Sequence, residues 1–334
     1  MTFDDHEKAV RPMGFTERQA RFLVTVMLHS GVCMSRHYGA FTGLVHGQKT
    51  RDFFGGLLAR KLATAYPCAQ RRTRIFHVQS RVLYAAIGEP DNRFRKPMPL
   101  GQAIERLMLL DAVLDSRQVS WIATERDKVA HFTLLLGTTL QRHELPHLTF
   151  GVGHEKTVRY FPDKLPIGIA ADGRTHLFLY LVTRAVPVDF RAFLHRHAEL
   201  FRALPCWTVR LLIPEHLRET ADAYVSAWRQ ELATPLRPSV AEELRWFFEQ
   251  QQRLRTGAVV NHNDEPARWD RARAAFASPR FRVLYRSWLR DGRGAIDATV
   301  SPVLADAIKR GSGRIECQLL ARRYLHLSPL VGTA

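Results

Sequence analysis

The change of period between Gln48 and Val78 constrains this chain more than any other feature in it. Phe54, Leu57, Leu58 and Leu62 recur at three- and four-residue spacing, which predicts a helix with one buried stripe. Gln48, Lys49, Arg51, Asp52 and Arg60 fall largely off that stripe and are left to meet solvent or a partner. From Ala63 the pattern shifts to short extended runs. Residues 63–66 and 75–78 read as two strands around a turn-rich segment whose tip carries Arg71, Arg72 and Arg74.

The flanking residues supply the rest of a small unit. Thr16 and Gln19 match a capping box at the head of a helix bearing Ala20, Leu23, Val24, Met27 and Leu28, which Gly31 ends. Ser35 is placed to cap a shorter helix with Tyr38, Phe41 and Leu44 inward, and residues 80–87 give a fourth helix. Three helices, a basic-tipped hairpin and a closing helix resemble the winged helix-turn-helix superfamily over residues 14–88. The resemblance implies that the Gln48 helix enters the major groove of double-stranded DNA while the arginine tip lies on phosphates or in the minor groove. Gln48, Lys49, Arg51 and Arg60 would then contact DNA from the helix, and Arg71, Arg72 and Arg74 from the wing.

Charge points the same way. The chain of 334 residues carries 49 Lys and Arg against 32 Asp and Glu, a formal +17. Its first 90 residues hold thirteen bases and six acids. Such an excess favours a polyanion, because each neutralised phosphate releases condensed counterions. Two blander readings stand beside it: an arginine-rich coding bias spread over a solvated surface, and a winged helix that docks protein.

Residues 91–99 are charged and proline-punctuated and read as a linker. Beyond it a helix at 101–116 precedes strand-like runs at 119–123, 148–152, 157–161 and 166–170. The run 176–183 is apolar enough for a central buried strand, and a helix at 188–203, a strand at 207–213 and a helix at 217–232 follow. This order predicts an α/β sandwich around one sheet. Its Pro162-Asp163 resembles the motif of restriction-endonuclease-like enzymes, in which a following strand supplies Glu-x-Lys and the carboxylates hold Mg²⁺. Here that strand offers Leu179-Tyr180-Leu181-Val182 instead. Asp163 therefore reads as a turn residue in a nuclease-like fold without catalysis; a Mg²⁺-dependent nuclease centred on it is the alternative, with Asp172 or Glu155 as displaced partners. Together, the two parts resemble the replication-relaxation family of plasmid and mobile-element proteins over residues 14–233. That resemblance implies a role in transcriptional regulation or replication.

The last hundred residues read as helical. Phe247, Phe248, Trp269, Phe276, Phe281, Tyr285 and Trp288 lie on helical faces and are expected to be core, with neighbouring arginines on the wet side. Residues 301–310 and 314–324 read as a helix pair, open to use as a second helix-turn-helix, a docking module or a homodimer contact. The expected fold class is thus α+β and multidomain: a winged helix at 14–90, a nuclease-like sheet domain at 100–234 and a helical region at 238–334.

Other chemistry finds no footing in the sequence. Cys33, Cys68, Cys206 and Cys317 form no C-x-x-C pair, so neither zinc nor a disulfide framework is expected. His195 and His197, two apart on a helix, point to different faces. The sequence contains no P-loop, dinucleotide fingerprint, nucleophile elbow or H-E-x-x-H, and the reading calls for no cofactor and no metal. The run 125–128 (Glu-Arg-Asp-Lys) reads as a solvated first helical turn. The acidic, polar start is no secretory signal, and no run approaches the ~20 apolar residues of a membrane span. A reducing cytoplasm is the expected compartment.

Overall fold

Side-chain caps set the first two helices. Thr2 closes a capping box on α1 (Phe3–Val10), and Thr16 closes another on α2 (Glu17–His29), exchanging hydrogen bonds with Gln19 at 3.0 and 3.3 Å. The computed structural model describes residues 2–43, 47–68, 73–151, 156–256, 266–322 and 324. After α2 come the two-residue strand β1 (Val32–Cys33) and α3 (Ser35–Thr42). The cap of α3 is not Ser35: Met34 holds the N-cap position and its N–H donates to His37 Nδ1 at 2.8 Å. Then follow α4 (Gln48–Ala59), β2 (Ala63–Pro67), β3 (Arg74–Val78) and α5 (Arg81–Ala86).

These elements close one core. Phe53, Phe54 and Leu57 of α4 are buried; Phe53 stacks on Tyr38 at 4.6 Å and Phe54 on Phe76 at 4.2 Å. Lys61, at φ 54°, turns the chain from α4 into β2. The strands β2 and β3 pair antiparallel from Ala63↔Val78 to Pro67↔Arg74, and β1 adds to the other edge of β3. Phe76 and Val78 belong to the core with α2 and α4, whereas Ile75 packs into a second core on the opposite side. The hairpin is therefore covered on both faces, out to the Tyr66↔Ile75 pair beside Arg74.

Residues 91–99 are not a free linker. Asn92 caps a 3₁₀ turn, Arg93–Arg95; Phe94 O accepts from His77 Nε2 at 2.7 Å, and Arg95 Nε donates to Gln79 O at 3.3 Å. Gly31, at φ 72°, lets this segment pass, since a Cβ there would lie 2.6 Å from Phe94 O. Charge and proline marked a boundary, but Phe94 and the guanidiniums found an apolar wall and backbone carbonyls in the first unit.

The second unit follows as α6 (Leu100–Asp115), β4 (Ser120–Ile122), α7 (Glu125–Leu136), β5 (His147–Phe150), β6 (Thr157–Tyr160), β7 (Ile167–Ile169) and β8 (Thr175–Leu181). Then come α8 (Val188–Ala203), β9 (Cys206–Pro214) and α9 (Ala221–Trp228), which runs into a π-helical turn, Arg229–Ala233. A five-stranded sheet forms its middle, and strand β8 shows the period of two. Leu177, Leu179 and Leu181 share a core with Ile104, Leu107 and Met108 of α6. Phe178, Tyr180 and Val182 face the core of α8 and α9. Helix α6 thus lies between the first unit and this sheet. The expectation of one sheet fails for β5 and β6, which form a separate antiparallel ribbon.

Four helices, α10 (Pro238–Arg255), α11 (Pro266–Ala275), α12 (Pro279–Asp291) and α13 (Gly294–Val300), then enclose their own aromatic core of Phe247, Phe248, Phe276 and Trp288. After α14 (Val303–Lys309), the segment expected as a second helix is a strand. This strand, β10 (Gly313–Leu320), runs parallel to β9 from Gly313↔Trp207 to Leu320↔Pro214. The sheet order is β10-β9-β8-β7-β4, parallel over the first three strands and antiparallel over the rest. Among the described residues no helix is long and apolar enough to cross a membrane.

Candidate nucleic-acid interface

Helix α4 presents two unlike faces because its aromatic stripe consumes one of them. Gln48, Lys49, Arg51, Asp52 and Gly55 are exposed, while Thr50, Phe53, Phe54 and Leu57 are buried. Gln48 Nε2 donates to Asp52 Oδ1 at 2.5 Å, one turn on. Lys49 and Arg51 make no ion pair within the described residues. Arg74 is exposed at the start of β3, opposite Pro67. Arg71 and Arg72 lie outside the described residues.

Arg60 is exposed but tethered. It follows the last helical residue of α4, where the chain turns back. Its Nη2 donates to Met13 O at 2.6 Å and its guanidinium lies 4.9 Å from the Phe15 ring. The side chain clamps the end of α4 onto the segment before α2, so it is not a free contact like Lys49 or Arg51.

Helix α3, which precedes α4, is anchored through a residue that sequence reasoning passed over. Asp111 of α6 is 2 % exposed and accepts both Arg36 amino groups at 2.6 Å, His37 Nε2 at 3.0 Å and the Tyr324 hydroxyl at 2.6 Å. Arg322 also donates to it. His37 Nδ1 already accepts from Met34 N, so the ring donates from Nε2 as a neutral imidazole. Burial, with Arg36 and Arg322 nearby, holds its pKa well below the ordinary value. One carboxylate thus ties the first unit, α6 and the segment after β10 together. A lone acid inside the apolar run Leu107–Leu114 was the available signal.

Among the described residues, the Asp163 carboxylate of the Pro162-Asp163 turn is engaged by an arginine. Arg196 Nη1 donates to both Asp163 oxygens, at 2.6 Å to Oδ2. Leu179, Tyr180, Leu181 and Val182 are buried in the cores. Asp172 is occupied in a turn, accepting from the Thr175 hydroxyl at 2.6 Å and from Thr175 N and Arg174 N at 2.8 and 2.9 Å, which draws its pKa down to about 2. Glu155 lies outside the described residues. Among the described residues no group of three or more His, Cys, Asp or Glu side chains is placed to hold a metal ion. His195 Nε2 instead pairs with the buried Glu231 at 3.0 Å, and His197 Nδ1 faces Phe193 O at 2.9 Å.

The turn has another function in the fold. Phe161 and Lys164 both adopt positive φ, 46° and 64°, which for non-glycine residues is held only where surroundings over-determine it. That backbone directs Leu165 O at Lys128 Nζ, 2.8 Å away. Lys128 is 4 % exposed, so the first turn of α7 is not solvated throughout. Thr124 and Asp127 close a capping box there, and Lys128 lies on the stripe of Phe132 and Leu136, a spacing of four legible in the sequence.

Comparison with known protein families, with curated proteins and with solved structures finds no match for this chain.

Proposed function

We propose that the chain binds double-stranded DNA through the exposed face of α4 and the tip of the β2–β3 hairpin, as a winged helix does. The observation that carries this reading is the juxtaposition of Gln48, Lys49, Arg51 and Asp52 on one open helix face with a hairpin whose sequence puts Arg71, Arg72 and Arg74 at its tip. The element order agrees: helix, short strand, helix, helix and hairpin, with β1 completing a three-stranded sheet. Because the α6 core reaches Ile75, Tyr66 and Cys68, the described part of the hairpin offers a duplex its β2 edge and Arg74. The role inferred is that of a cytoplasmic regulator of transcription or a replication accessory factor of mobile-element type.

Salt titration tests the reading. Each lost phosphate contact should lower the log–log salt slope by about 0.9. Lys49→Ala combined with Arg51→Ala should therefore cut it by about 2, and Arg71, Arg72 and Arg74→Ala by up to about 3. Unchanged slopes in both variants, or no duplex retained by the wild type at low salt, would overturn the proposal. In the second case docking of a protein would be the remaining use of the same face.

A further inference from the structure

A cleft of about 950 Å³ opens between the first unit and the central sheet. Its walls come from the last turn of α2, residues 88–96, the start of α7, the β5–β6 ribbon and the Phe161–Pro166 turn. The volume lies within the range of small-molecule sites. Among its lining residues are two buried bases, His29 and Lys128, 7 % and 4 % exposed, in a cleft that the acids Glu89, Asp91 and Glu125 also line.

The fold meets these bases only in part: His29 lies edge-on to the Trp121 ring at 6.2 Å, and Lys128 Nζ lies 5.9 Å from the Phe161 ring. Lys128 has three N–H donors and uses one, on Leu165 O. No ring nitrogen of His29 makes a hydrogen bond within the described residues, and the Lys128 charge opposes protonation of that ring. No carboxylate forms an ion pair with either side chain among the described residues. The acid that most favours the Lys128 charge, Asp163, is held by Arg196. An ammonium buried without a counter-ion is costly, and folds normally pair it or leave it out.

We propose that this cleft binds a nucleotide-like ligand, with a phosphate seated on Lys128 and His29 and a planar ring against the exposed Phe150. Phosphate fits better than a single carboxylate because the cleft's other bases, Arg93, Lys96, Arg159 and Lys164, with Lys128 outnumber its acids Glu89, Asp91 and Glu125. A ring fits because Phe150, on a two-stranded ribbon, stands 53 % exposed. The chemistry is shared by a free mononucleotide and by the phosphorylated end of a nucleic-acid strand. His29 ends α2 and Lys128 opens α7, so the bound phosphate would bridge the unit that carries α4 to the central sheet. The site uses none of the residues assigned to duplex binding and does not rest on that reading.

Calorimetric titration of the full chain with AMP, ATP, inorganic phosphate and a 5′-phosphorylated oligo-dT tests it, using wild type, Lys128→Met and Phe150→Ala. AMP or ATP, the oligonucleotide, or both should bind the wild type, and Lys128→Met should weaken that binding at least tenfold. Phe150→Ala should weaken the ring-bearing probes and leave inorganic phosphate unchanged. Binding of mononucleotides without the oligonucleotide identifies a free nucleotide; the converse identifies a strand end. No ring-bearing probe bound, equal affinity in Lys128→Met, or phosphate bound as tightly as AMP would overturn the proposal. A circular-dichroism melt shows whether Lys128→Met is folded. Duplex binding measured on the same variant should be unchanged, which separates failure of this site from failure of the α4 interface.

Discussion

Replacing Lys128 by Met should make the protein more stable at neutral pH. Burial pulls the ammonium pKa from its ordinary 10.5 down to about 8, against the opposing pull of Asp163 from the turn and of Glu125 and Asp127 on its own helix. The only base that faces it from α2, His29, is itself held neutral, its pKa pushed to about 3. At ~1.4 kcal/mol per pH unit, the lysine destabilises the folded state by about 3 kcal/mol below pH 8. Methionine keeps the volume but leaves Leu165 O without its donor, a loss of about 1–2 kcal/mol. The balance is a gain of about 1–2 kcal/mol for the variant at pH 7. The sign reverses the usual intuition for a lost hydrogen bond. Because the folded-state pKa is the lower one, the unfolded chain holds the extra proton between pH 8 and 10.5. Wild type therefore regains stability through that window, and the gap should close by about pH 10. Urea unfolding of both proteins at pH 7, 8.5 and 10 measures it. A variant less stable than wild type at pH 7, with a difference that does not change with pH, would refute the argument by showing the ammonium compensated.

Three other substitutions probe separate parts of the architecture. Asp111→Asn should cost about 3–5 kcal/mol in urea unfolding, because it leaves Arg36 and Arg322 without the carboxylate that both address. Gly55→Ala should add about 1 kcal/mol, since the exposed mid-helix site has nothing within 4 Å of the new Cβ; a loss would mean that α4 is not helical there. Gly313→Val should release β10 from the sheet, because a Cβ would fall 2.4 Å from Trp207 Cζ2. Faster amide exchange over residues 313–320 and a change in tryptophan emission report it.

Legibility in the sequence followed the range of the interactions. The Thr16–Gln19 box, the α4 stripe, the α8 bounds and the buried run of β8 are settled by contacts within a few residues, and periodicity reads such contacts directly. Strand β10 is settled by β9, a hundred residues earlier. Its alternation of Ile315, Cys317 and Leu319 with Glu316 and Gln318 was present, yet four of its eight residues are exposed on the sheet edge, so the apolar signal was weak. Strand β1 has two residues and no period at all.

The site residues divide along the same line, and their division bears on function. Lys49 and Arg51 were legible because exposure on a helix is a local property. For Asp111 and Lys128 the sequence carried burial, through an apolar run and a helical stripe, but not the partners, which are the company that folding brings. Their fates then differ. Asp111 is met by Arg36, His37, Arg322 and Tyr324, so its burial is explained by the fold. Lys128 is met by one carbonyl, the Phe161 ring at 5.9 Å and the edge of a cleft. A chain with 49 bases to place had no shortage of surface for one more, and a methionine there would serve the fold better. That a lysine stands there argues for a partner from outside the chain.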